Sequence, residues 1–140
     1  MKNSIIVTTT LFLLLFGTIQ LQAQDFNQKK NNYVVLSKNI QQLQPVILTA
    51  KGLAMEDGKK YGDFYMIICG KTVDDIPNNT DFIQLLKKAK AQNLKVFVCG
   101  ISLNKFNISP DQMPDNLEIT KNGILYGFQL TKKGFITLTI

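Results

Sequence analysis

Three short apolar runs constrain this chain more than any other feature: YVVLS (Tyr33 to Ser37), DFYMIICG (Asp63 to Gly70) and LKVFVCG (Leu94 to Gly100). Each is about one strand long and nearly continuous rather than alternating. Strands of that kind are buried on both faces, as in a parallel sheet covered by helices. The segments between them carry helical spacing. Leu43, Val46, Ile47, Ala50 and Leu53 or Ala54 follow one stripe, with Pro45 in the first turn and Gly58 as the stop. Phe82, Leu85, Leu86 and Ala89 follow another, capped by Asn79 or Thr80 and ended by Asn93.

The rest of the chain continues the alternation. A short helical piece begins near Ile101, and a loop with two prolines follows it. LEIT (Leu117 to Thr120) reads as a fourth strand. A helix over 122–133 with Ile124, Leu125 and Phe128 inward is stopped by Gly134 and leads to a last strand, FITLTI (Phe135 to Ile140). The order β-α-β-α-β-α-β-α-β predicts an α/β domain: a five-stranded parallel sheet with helices on both faces, joined by right-handed crossovers. In such sheets reactive groups collect beyond the carboxyl ends of the strands. Cys69-Gly70 and Cys99-Gly100 both fall there.

The first 23 residues read as a targeting segment. Lys2 precedes an apolar stretch from Ile5 to Ile19, and LQAQ (Leu21 to Gln24) places the small Ala23 at the expected cut. The stretch is shorter than the roughly 18 residues of a spanning helix. We therefore expect an exported protein, periplasmic or secreted, with no stable membrane insertion after cleavage. Removing 23 of 140 residues would leave 117, enough for one core. The expected organisation is a signal peptide over 1–23, a flexible arm over 24–32 and one α/β domain over 33–140.

Composition excludes several chemistries. The chain has no histidine, which removes Ser-His-Asp and Cys-His catalysis and Cys/His zinc sites. Its 16 basic residues are all lysines and are scattered among acidic and apolar neighbours. Lysines offer point charges, not the forks that read phosphate or guanine, so no nucleic-acid partner is expected. Asp74-Asp75 sits in a turn-rich loop without calcium-loop spacing, and no phosphate-loop motif occurs. Neither a metal nor a cofactor is expected.

What remains is thiol chemistry. Cys99 ends an apolar strand and is followed by Gly100 and a first helical turn, whose N–H groups favour thiolate, the nucleophilic form. Ser102 can donate a hydrogen bond to it, and Lys105 can add positive charge if the helix brings it round. The competing reading is a small buried hydrophobe. Cys69, the second thiol, ends its own strand in the same way and has the same core reading. If the sheet takes the flavodoxin-like order, the first strand separates the two cysteines by roughly 9–10 Å, beyond a disulfide's reach.

With these elements placed, the stretch from Lys95 to Ile140 resembles the C-terminal half of the DsrE/DsrF-like family of small sulfur-relay domains. The resemblance lies in Cys99-Gly100, Ser102, Lys105, the loop and strand FNISPDQMPDNLEI, Asn122-Gly123 opening a helix, and FQLTKKGF before the last strand. At the end of the second strand many members carry His-Gly, where this chain has Cys69-Gly70. The resemblance implies a five-stranded parallel domain, assembly as a homo-oligomer (trimer or hexamer), and a persulfide-forming thiol at the position of Cys99. It thus implies an exported sulfur carrier or thiol-exchange protein, sulfurtransferase-like, with a sulfur donor or acceptor protein as partner. The alternative is a non-catalytic oligomeric binding domain with structural cysteines.

Overall fold

A computed structural model describes residues 29–140. The expected signal peptide over 1–23 and residues 24–28 of the expected arm lie outside the described residues. Among the described residues no helix is long and apolar enough to cross a membrane.

Five strands form one parallel sheet: β1 (Asn31–Ser37), β2 (Tyr61–Ile68), β3 (Leu94–Cys99), β4 (Glu118–Thr120) and β5 (Ile136–Thr139). Four α-helices connect them: α1 (Leu43–Asp57), α2 (Thr80–Ala91), α3 (Gly100–Lys105) and α4 (Gly123–Lys132). The expected fold class therefore stands. β1 starts two residues earlier than expected, so Asn31 and Asn32, the end of the expected arm, belong to the sheet. Local chemistry sets the boundaries elsewhere: Asn79 caps α2 by accepting from Phe82 N–H at 3.0 Å, and Gly58 and Gly134 end their helices at positive φ, 53° and 90°.

The strand order is β4-β3-β2-β1-β5. This corrects the flavodoxin-like order, in which β1 would lie between β2 and β3. Here the three crossovers from β1 to β4 step one strand at a time in one direction, and α4 then carries the chain back across the sheet to pair β5 with β1.

The two faces of the sheet are covered unequally. Val35, Phe64, Met66, Ile68, Val96 and Val98 point to one face and pack against Leu43, Val46, Ile47 and Ala50 of α1, Phe82 and Leu86 of α2 and Leu103 of α3. The other face carries Val34, Ile67 and Phe97 and is covered by Leu130 and Tyr126 of α4, together with Phe135. Tyr65, Phe97, Phe135 and Tyr126 form an aromatic cluster there, with ring centroids 5.1–5.3 Å apart.

The inward face of α4 also differs from expectation. Gly123, Gly127 and Leu130 are buried against the sheet, whereas Ile124, Leu125 and Phe128 are 60%, 53% and 66% exposed. Glycine decides this. A Cβ at Gly127 would stand 3.2 and 3.3 Å from the Leu36 Cδ atoms, so the helix lies on β1 through its smallest residue and turns its larger apolar side chains outward.

Candidate functional site

β2 and β3 are neighbours with Ile68 paired to Val98, so the next residues, Cys69 and Cys99, sit side by side at the carboxyl ends of the two strands. Both follow the alternation that sends Ile67 and Phe97 to the α4 face. Adjacent strands are about 4.7–4.9 Å apart, inside the Cα range that a disulfide spans. The expected separation of 9–10 Å is thus corrected, because no strand intervenes. Both cysteines are free thiols, Cys99 buried and Cys69 half-buried.

The first turn of α4 roofs the pair. Asn122 caps the helix by accepting from Ile124 N–H and Leu125 N–H, both at 3.1 Å, which aims the Gly123 N–H downward. That N–H donates to Cys99 Sγ at 3.2 Å. Only glycine fits there: a Cβ would come within 2.7 Å of Cys69 Sγ, 2.9 Å of Ile67 Cγ2 and 3.1 Å of Cys99 Cβ. Gly100, on the far side of Cys99, is similarly confined, since a Cβ would stand 3.1 Å from the Thr120 carbonyl oxygen and 3.2 Å from that of Lys121. Glycines on both sides let backbone close around the sulfur.

Ser102 ties the two strand ends together. Its buried hydroxyl accepts from Gly70 N–H at 2.8 Å, so the turn after Cys69 is held by the helix that follows Cys99. Lys105, by contrast, ends α3 with its ammonium 5.8 Å from the Phe106 ring centroid. The cation that acts on Cys69 is Lys38, just after β1, whose aliphatic stem passes 3.6–3.8 Å from where a Gly70 Cβ would be.

These neighbours drive the two thiols apart in acidity. Burial raises Cys99, but the N–H of Gly123, the N–H and hydroxyl of Ser102 and the Cys69 thiol outweigh it, and the thiol is held below its ordinary value of 9.0. Cys69 is pushed up to about 12, first by burial, then by repulsion from Cys99 and by its hydrogen bond to Cys99, with the Lys38 ammonium pulling the other way. Cys99 is therefore the more acidic thiol of the pair and Cys69 the one that keeps its proton longer.

Of the residues singled out in sequence, Cys69, Cys99, Gly100 and Ser102 come together and Lys105 stays apart. Gly123 and Lys38 were missed as site residues. The Asn-Gly pair opening α4 signals a capped helix, but that its N–H meets a cysteine 24 residues earlier follows only from the fold. A cavity of about 270 Å³, lined by Gly100, Leu103, Asn104, Pro110, Ile119 and Lys121, opens on the α3 side of this end of the sheet. A larger one of about 530 Å³, between Asp63, Lys90, Asn93, Lys95 and Glu118, lies at the opposite strand ends and far from the thiols.

Comparison with known proteins agrees with this architecture. The model of the DsrE/DsrF-like family matches residues 48–138. Among solved structures, the protein of unknown function MTH1491 from Methanobacterium thermoautotrophicum superposes with a TM-score of 0.64 at 10% identity, over 80% of this chain and 99% of its own. The conserved protein of unknown function BT1422 from Bacteroides thetaiotaomicron does so with a TM-score of 0.58 at 15% identity, over 79% of this chain and 95% of its own. Among curated proteins none matches the chain.

Proposed function

The chain belongs to the DsrE/DsrF-like family, and from that premise we propose that it carries sulfane sulfur, with Cys99 as the persulfide-forming thiol. The observation that supports this reading is the hydrogen bond from Gly123 N–H to Cys99 Sγ at the start of α4. A helix N-terminus favours an anion, and the thiolate is the nucleophilic form of cysteine. Loading is then a thiolate exchange at sulfur. The Cys99 thiolate attacks a sulfane sulfur of a polysulfide, a bond between them forms, and the shortened polysulfide leaves with the electron pair. The same neighbours that stabilise the thiolate hold the persulfide anion. A sulfur donor or acceptor protein would supply or collect the sulfur, and with residues 1–23 read as a signal peptide the proposed reaction would run outside the cytoplasm.

The test is intact-mass analysis after exposure to inorganic tetrasulfide and blocking of thiols. In a Cys69→Ser chain we expect one added sulfur, removed by a reductant and located on Cys99; a Cys99→Ser chain should gain none. Failure of Cys99 to take up sulfur while the protein stays folded would sink the reading and favour the alternative, an oligomeric binding domain with structural cysteines.

A separate observation supports assembly into a homo-oligomer. Ile124, Leu125 and Phe128 on the outer side of α4 and Ile136, Leu138 and Ile140 at the β5 edge are exposed. α4 and β5 are consecutive in the chain and in contact, with Thr131 Oγ1 and Thr137 Oγ1 2.8 Å apart. Large apolar residues gathered at one edge of a sheet mark an interaction surface. Trimers or hexamers of this chain would bury it.

A further inference from the structure

The geometry of the thiol pair points to a role for its second member. We propose that Cys69 is a resolving thiol: it attacks the Sγ of persulfidated Cys99, forms a Cys69–Cys99 disulfide and expels the carried sulfur as sulfide. This rests on the reading of Cys99 as the sulfur-carrying thiol and adds what becomes of the sulfur.

Three observations carry it. First, the strand order makes the cysteines neighbours at the ends of β2 and β3, at an interstrand spacing inside the Cα range that a disulfide spans. Second, the two side chains converge under the first turn of α4, where one point, the position of a Cβ on Gly123, lies 2.7 Å from Cys69 Sγ and 3.1 Å from Cys99 Cβ. The attacking sulfur therefore stands beside the side chain it would attack. Third, Cys69 is the more exposed of the two and Cys99 is 4% exposed. Cys69, its neighbour at the strand ends, is the thiol best placed to reach a persulfide on the buried Cys99.

The step balances within the site. The Cys69 sulfur forms a bond to Cys99 Sγ, and the bond from Cys99 Sγ to the outer sulfur breaks. The outer sulfur takes the electron pair and the proton released by Cys69, and leaves as hydrosulfide. The sulfane sulfur is reduced, and the two cysteine sulfurs are oxidised to the disulfide. Return to the dithiol needs an external dithiol reductant, by ordinary thiol–disulfide exchange. Cys69 holds its proton in the resting pair, so its attack proceeds as that proton passes to the outer sulfur of the persulfide.

The experiment is a single turnover on the reduced full chain with one equivalent of inorganic tetrasulfide, followed by thiol blocking, intact mass, peptide mapping and sulfide assay against a protein-free control. We expect the wild type to finish lighter by two hydrogens, with Cys69 and Cys99 joined and one extra sulfide per chain. Cys69→Ser and Cys69→Ala, both checked for fold by circular dichroism, should instead retain the added sulfur on Cys99 and release none. If wild type keeps its persulfide as long as the Cys69 variants do, with no disulfide, the resolving role is overturned and sulfur carriage stands. If the folded Cys69 variants take up no sulfur, the carriage reading falls and the resolving role falls with it.

Discussion

The amide of Gly123 donates to the sulfur of Cys99 across 3.2 Å, joining the first turn of α4 to the end of β3. Since a Cβ on Gly123 would overlap Cys69 Sγ and Ile67 Cγ2, helix, strand and both thiols occupy one closely packed spot. Gly123→Ala should therefore act on stability and chemistry together. Overpacking against atoms on a rigid sheet predicts a loss of about 1–3 kcal/mol, read from the urea midpoint. Alkylation of Cys99 in the folded protein should slow at neutral pH, because the amide is pushed off the sulfur. An unchanged alkylation profile in a folded variant would show that the amide does not set the thiol's acidity.

The two thiols should titrate in opposite directions. Cys99, held below 9.0, should react with iodoacetamide with a midpoint below that of an ordinary cysteine, and Cys69, pushed up to about 12, should stay slow until strongly alkaline pH. The linkage signs follow. Cys99 binds its proton less tightly folded than unfolded, so its contribution to stability is present above the unfolded value and lost as pH falls through the folded one. Cys69 binds its proton more tightly folded, so its contribution is present below the unfolded value and lost as pH rises. Equal midpoints in the single variants Cys69→Ser and Cys99→Ser would refute the asymmetry.

Ser102→Ala tests the tie between the two strand ends. It leaves Gly70 N–H without the acceptor it has at 2.8 Å, a partly buried donor whose loss of partner costs about 1–3 kcal/mol. It also removes a hydroxyl that favours the Cys99 thiolate. Chemical denaturation and the pH midpoint of Cys99 alkylation should both move, the midpoint upward. Threonine at this position should restore more of the acidity than alanine does.

Alkaline stability reports on the tyrosines. Tyr33 donates to Asp57 Oδ2 at 2.6 Å, and this bond, with burial and the Asp57 and Glu56 charges, pushes its phenol from 10.0 up to about 12. Tyr61, Tyr65 and Tyr126 are raised too, each first by burial. Raised values mean that their contribution is intact below 10.0 and is lost as pH rises through the folded values. The urea midpoint should thus fall over that interval, and Tyr33→Phe should flatten part of the fall while lowering stability at neutral pH by about 1 kcal/mol.

The outer side of α4 predicts a change of assembly without a change of fold. Leu125→Glu with Phe128→Glu places charge on positions 53% and 66% exposed in one chain, so circular dichroism should be unaltered. Light scattering should show a lower mass than wild type. Identical masses would remove this face from the proposed oligomer.

The sequence by itself determined the elements and their class, because their signals are local. Continuous apolar runs mark doubly covered strands, and stripes at helical spacing, Asn79 as a cap and Gly58 and Gly134 as stops mark the helices between them. Cys99 was marked as a candidate on the same grounds, as a thiol at the junction of a strand and a helix. Only the tertiary structure decided which strands are neighbours, since a parallel crossover can step to either side and no residue within β2 or β3 states its partner. That choice brought Cys69 against Cys99 and put Gly123 above them, a meeting of three residues far apart in the chain. It also settled which side of α4 faces the sheet. The helix has apolar residues on both sides, so size decides the contact: Gly123 and Gly127 allow close approach to the sheet, and Ile124, Leu125 and Phe128 are left outside.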